Sequence, residues 1–125
     1  MKKKIIITGG LGYIGTELCK LYSGVSWHHD ITVIDNKFIS ERVNQLRNWN
    51  MEFIHGDILD KDLVNKYFKN ADVVHHLAGV TSVPRTKSES SKEQDEKIKL
   101  VAEQGTQNIL NAISNECKLI FPSTH

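Results

Sequence analysis

Cysteine is scarce in this sequence. Cys19 and Cys117 are the two thiols among 125 residues, and neither lies in a Cys-x-x-Cys pair or a Cys/His cluster. That spacing excludes a disulfide-stapled scaffold and offers no zinc site. Two lone thiols fit a reducing compartment. Charge of one sign is also lacking: 16 Lys and Arg stand against 15 Asp and Glu, for a net charge of +1. Such a balance leaves no electrostatic footprint for nucleic acid or an anionic membrane surface. Long apolar runs are missing too. After the basic Met1-Lys2-Lys3-Lys4, the run Ile5-Ile6-Ile7 stops at Thr8-Gly9-Gly10, too short for a signal-peptide core or a bilayer span. We therefore expect a soluble, cytoplasmic chain. No internal repeat or low-complexity linker interrupts it. With 39% hydrophobic and 25% charged residues, the composition is that of an ordinary globular protein, and the length suits one domain over residues 1–125.

What is present is an alternation of short apolar runs and helical patterns. Lys4 to Thr8 is rich in β-formers and runs into glycines. Ile14, Leu18, Leu21 and Tyr22 then recur at offsets 0, 4, 7 and 8, one face of a helix over Tyr13 to Tyr22. Ile31-Thr32-Val33-Ile34 is a second strand, Met51 to His55 a third, Ala71 to Leu77 a fourth and Lys118 to Phe121 a fifth. Asp60 can cap a helix whose apolar face is Leu63, Val64, Tyr67 and Phe68. A long helix is expected from the low 90s to about Asn115, and Phe38 to Trp49 reads as a loop with one or two helical turns. Nearly continuous apolar strands alternating with amphipathic helices imply an α/β fold with both sheet faces covered. Right-handed crossovers make it a doubly wound parallel sheet of the Rossmann type, most simply in strand order 3-2-1-4-5.

The segment carrying chemistry is Thr8-Gly9-Gly10-Leu11-Gly12-Tyr13-Ile14-Gly15. Gly10-x-Gly12-x-x-Gly15 falls between a strand and a helix, the context a dinucleotide fingerprint requires. The first glycine permits the tight turn, the second lets a pyrophosphate approach the backbone, and the third lets helix and strand pack closely. The helix start at Tyr13 and Ile14 then aims free N–H groups at the diphosphate. Asp35 closes the second strand 20 residues beyond Gly15. A carboxylate there can accept both ribose hydroxyls and would repel a 2′-phosphate, which favours NAD over NADP. Lys37 nearby could favour a phosphate, but Asp35 is better placed.

With these residues in place, the chain resembles an extended short-chain dehydrogenase/reductase, and within it the NAD-dependent nucleotide-sugar epimerase/dehydratase group. Thr8-Gly9-Gly10-x-Gly12-x-x-Gly15 is similar to that family's TGGxGxxG, and Asp35-Asn36 to its pair at the adenosine ribose. The resemblance implies that Asp57 and Ile58, in Gly56-Asp57-Ile58, hold adenine. It implies that Leu77, Ala78 and Gly79, in His76-Leu77-Ala78-Gly79, lie along the cofactor. Gly105-Thr106-x-Asn108 is similar to the GTxN of the long fourth helix, and Phe121-Pro122-Ser123-Thr124 to the segment after the fifth strand. Thr124 there aligns with the catalytic Ser/Thr that bonds the reacting sugar oxygen, with Ser123 as its alternative. A homodimer through the fourth helix is also implied.

Two positions depart from the family pattern. Ala102 stands where an Asn is usual, three residues before Gly105. The family's Tyr-x-x-x-Lys is absent: four residues after Tyr13, Tyr22 and Tyr67 come Glu17, Ser26 and Ala71. That pair supplies the acid/base and lowers its pKa. The resemblance thus covers the N-terminal part of such an enzyme, truncated after the fifth strand, with the cofactor half present and substrate binding and proton transfer lying elsewhere. A non-catalytic nucleotide-binding module, or an NAD(P)-dependent reductase or hydroxysteroid dehydrogenase of the same superfamily, shares the glycines; frequent NADP use by the latter two counts against them, given Asp35.

No metal is expected. Neither His28-His29 nor His75-His76 has a carboxylate or Cys completing it at ligand spacing, and adjacent strand residues face opposite ways. Arg85, in Val83-Pro84-Arg85-Thr86, is a surface residue that could meet a substrate phosphate.

Overall fold

The computed structural model describes residues 2–78 and 92–120. Its elements run β1 (Lys4–Thr8), α1 (Tyr13–Tyr22), a 3-10 turn (Ser26–His28), β2 (Asp30–Asp35), α2 (Ser40–Asn48), β3 (Glu52–His55), α3 (Lys61–Phe68), β4 (Val73–His76), α4 (Lys92–Ala112) and β5 (Lys118–Ile120). All four strand pairings are parallel, and the order is β3-β2-β1-β4-β5, as the crossover argument expects. The order reverses between β1 and β4, so the carboxyl ends of those strands open a crevice.

Strand alternation sorts the core into two layers. Ile5, Ile7, Ile31, Val33 and Met51 face α1 and α2, packing on Leu11, Cys19, Val43 and Leu46. Ile6, Ile34 and Val74 face α3 and α4, packing on Ile58, Val64, Phe68 and Ile109. Each layer is buried, which is why the strands read as continuous apolar runs.

The α3 start follows the capping expectation: Asp60 accepts from Asp62 N at 3.1 Å and Leu63 N at 3.2 Å. Phe38 to Trp49 is more regular than the expected loop with one or two helical turns. Residues Ser40–Asn48 form a nine-residue helix. It buries Val43 and Leu46, a single pair one turn apart, which is too short a pattern to separate a helix from a loop. Its C-terminal end is closed by Asn50, held at φ 61°, a conformation Asn tolerates.

Candidate functional site

Three turns meet at the carboxyl ends of β1, β2, β3 and β4. The first joins β1 to α1. Gly9 stands at φ +69°, where a side chain would be strained, and a Cβ on it would lie 2.8 Å from Ala78 N. A Cβ on Gly10 would meet Val33 Cγ1, and one on Gly15 would sit 2.5 Å from Gly9 O and 2.6 Å from Gly10 Cα. Gly12 differs: its added Cβ would touch only Gly9 O, at 3.3 Å, and the residue faces solvent. The glycines at 9, 10 and 15 are thus required by packing, whereas Gly12 keeps open the surface over the helix start.

That helix start is free to bind. Gly12 is the N-cap and offers no side-chain cap, and no acidic residue occupies the first turn of α1. The first internal bond runs from Thr16 N to Gly12 O, at 2.8 Å, so the N–H groups of Tyr13, Ile14 and Gly15 have no acceptor within the helix. Tyr13 and Ile14 are exposed at this end, while Gly15 is buried against the turn. Such a terminus favours an anion by dipole and by direct hydrogen bonds.

Asp35 borders the turn. It is buried, and its carboxylate accepts from Leu11 N at 3.0 Å through Oδ2 and from Lys37 N at 3.0 Å through Oδ1. Sequence reasoning foresaw an acid here but not that it holds the glycine turn in place. Arg42, on α2, donates from Nη1 to the Leu11 carbonyl on the other side of that residue. Both Leu11 backbone groups are therefore fixed by side chains 24 and 31 residues away. Asn36 is exposed next to Asp35, its carbonyl 3.0 Å from His55 Nε2.

The second turn follows β3. Asp57 is exposed and its Oδ1 accepts from Leu59 N at 2.9 Å. Ile58 is buried in the lower layer. Its carbonyl accepts from Asn108 Nδ2 at 2.9 Å, across 50 residues. Gly105 on the same helix makes room for it: a Cβ there would meet Ile58 Cδ1.

The third turn follows β4. His75 and His76 do point to opposite faces. His75 Nε2 lies 2.7 Å from the Tyr22 hydroxyl on the α1 side. His76 lies between the Thr8 and Thr106 hydroxyls, 2.8 Å and 2.9 Å away, on the α4 side. Burial lowers the pKa of both imidazoles and raises that of Tyr22. Leu77 and Ala78 are half-buried, and both donate their N–H to Thr8 Oγ1. Gly79, Arg85 and Ser123 to His125, with Thr124 among them, lie outside the described residues. Among the described residues, no three His, Cys, Asp or Glu side chains gather where a metal ion could be held, and no helix is long and apolar enough to cross a membrane. Burial pushes the Cys19 thiol up to about 12, which makes it a core residue rather than a nucleophile.

The arrangement is an uncapped helix start with a carboxylate at one side and two backbone turns flanking it. Residues 6–125 match the 3-beta hydroxysteroid dehydrogenase/isomerase family. The chain is 34% identical over 128 residues to the UDP-N-acetyl-alpha-D-glucosaminuronate decarboxylase of Bacillus cytotoxicus, covering 99% of this chain and 37% of that protein. It is 34% identical over 133 residues to the CDP-paratose 2-epimerase of Salmonella typhi, covering 98% of this chain and 37% of that one. The chain thus spans 37% of the length of these curated relatives. Among solved structures it superposes on a UDP-glucose-4-epimerase from Stenotrophomonas maltophila, with bound NAD and formylated UDP-arabinopyranose, at a TM-score of 0.71 and 20% identity, over 98% of this chain and 37% of that one. A Helicobacter pylori ADP-L-glycero-D-manno-heptose-6-epimerase gives 0.70 at 24% identity, over 98% and 39%.

Proposed function

We propose, from the premise that this chain belongs to the 3-beta hydroxysteroid dehydrogenase/isomerase family, that it is the NAD-binding portion of a nucleotide-sugar epimerase or dehydratase. The observation carrying this reading is the open start of α1 beside a buried carboxylate. Tyr13, Ile14 and Gly15 present backbone N–H groups to a diphosphate, and Gly12, whose own N–H is turned to Gly9 O, leaves no side chain in the way. Gly9 and Gly10 shape the turn that aims them. Asp35 and Asn36 take the adenosine ribose, and the Asp35 carboxylate leaves no place for a 2′-phosphate. Asp57 and the Ile58 N–H take the adenine edge, while Leu77, Ala78 and Gly79 line the path toward the nicotinamide. NAD, when bound, supplies the hydride acceptor; the residues named here bind and orient it.

Thr124 is assigned the bond to the reacting sugar oxygen. No residue of this chain is assigned the proton transfer, because no Tyr-x-x-x-Lys occurs in it; the chain alone is expected to bind without turnover. A nucleotide sugar is proposed as the substrate on the strength of the curated relatives' names. The exposed Leu110 on α4 supports a homodimer through that helix. The family name itself favours a second reading, an NAD(P)-dependent dehydrogenase acting on another hydroxyl.

Calorimetric titration separates these readings. NAD is expected to bind at least about tenfold tighter than NADP, a difference of about 1.4 kcal/mol. Equal affinities would remove the role given to Asp35, and no binding of either would remove the cofactor reading.

A further inference from the structure

The Thr8 hydroxyl accepts from Ala78 N at 3.1 Å and from Leu77 N at 3.0 Å, the latter N–H being shared with Thr8 O at 3.1 Å. A hydroxyl oxygen has two acceptor sites and one proton. Both acceptor sites are taken, so the contact at 2.8 Å with His76 Nδ1 is one in which Thr8 donates. His76 Nδ1 therefore carries no proton. The proton sits on Nε2, which donates to Thr106 Oγ1 at 2.9 Å, and Thr106 in turn donates to Ala102 O at 2.8 Å. Every member has its partner, and the chain runs in one direction from the turn after β4 to the backbone of α4. Thr8 is fully buried and His76 is 4% exposed, so water does not substitute for either bond.

The relay ends at a close approach. Ala78 N lies 2.8 Å from where a Cβ on Gly9 would sit, so the turn after β4 rests directly on the glycine turn. We propose that His76 is a positioning residue: its neutral Nε2–H form orients the Thr8 hydroxyl and thereby fixes the Leu77–Ala78 turn against Gly9, in the geometry a dinucleotide needs. This rests on the NAD-binding reading for its consequence, but the hydrogen-bond order stands apart from it. Burial, which lowers the His76 pKa, acts in the same direction by disfavouring the doubly protonated ring.

The test combines a spectroscopic and a binding measurement. Nitrogen-15 NMR of the imidazoles should show His76 as the Nε2–H tautomer, and the amides of Leu77 and Ala78 should be protected from hydrogen exchange. His76→Asn keeps an acceptor at the Nδ1 position and should hold NAD affinity within about threefold of wild type. His76→Phe should lose about tenfold, and Thr8→Val, which retains the side-chain volume, should lose a similar amount and release the Ala78 amide, while the Leu77 amide, bonded also to Thr8 O, and the β1 and β2 amides stay protected. An Nδ1–H tautomer, or a Thr8→Val protein whose Ala78 amide stays protected, would overturn the positioning role. So would His76→Phe binding NAD as wild type does. If wild type binds no NAD yet shows the Nε2–H tautomer and the Thr8-dependent protection, the positioning role holds and the cofactor reading is what fails.

Discussion

The turn after β1 and the turn after β3 lie at the same carboxyl edge of the sheet with β2 between them, and they differ in what shapes them. The first is shaped by what it lacks, and is then clasped at Leu11 by Asp35 and Arg42. At Gly9, Gly10 and Gly15 a side chain would run into backbone or a core methyl within 2.8 Å. The second is held by what reaches it from afar: Asn108, on α4, donates to the Ile58 carbonyl, and Gly105 admits the Ile58 side chain. A turn built on missing atoms is written locally. A turn built on a distant donor is written half in one place and half 50 residues on.

The largest effect is expected in the first turn. Gly15→Ala places a methyl group against three backbone atoms of Gly9 and Gly10 within 2.8 Å, none able to rotate away. It should cost roughly 3 kcal/mol, the upper end for overpacking, read as a lowered urea midpoint; an unchanged midpoint would break the contrast. In the second turn, Asn108→Leu keeps the volume and removes the donor. The buried Ile58 carbonyl is left unpaired, at a cost of about 2 kcal/mol in the same denaturation experiment. A loss under a few tenths would mean that the turn after β3 stands without α4. The smallest effect is expected at the entry to α3. Asp60→Ala frees the N–H groups of Asp62 and Leu63 and should lower stability by about 1 kcal/mol, without disturbing hydrogen exchange at the Ile58 turn.

The contrast also explains how much was legible in the sequence. The strands, α1, α3 and the strand order follow from apolar spacing and the Asp60 cap, all local signals. The α2 helix reads as no more than one or two turns because Val43 and Leu46 are its only buried residues and its N-cap, Ile39, provides no side-chain bond. Within the site, the glycine turn and the acid at Asp35 were readable. That Asp35 clasps Leu11 N, that Arg42 clasps Leu11 O, and that Thr8 and Thr106 bracket His76 were not. Each joins residues 24 to 68 positions apart, and no periodicity reports such a pairing. His76, Thr106 and Asn108 stood in the motifs His76-Leu77-Ala78-Gly79 and Gly105-Thr106-x-Asn108, so resemblance marked them while their partners came from the fold.

On the proposed reading, the open helix start at Gly12 receives the diphosphate of NAD. Gly12 has an ordinary extended backbone, φ −73° and ψ 175°, and its added Cβ would meet only Gly9 O. Gly12→Ala should therefore keep its stability within about 1 kcal/mol of wild type. In a calorimetric titration its NAD affinity should fall by about tenfold or more, because the methyl group covers the surface the pyrophosphate must reach. A folded Gly12→Ala protein that binds NAD as tightly as wild type would contradict the account.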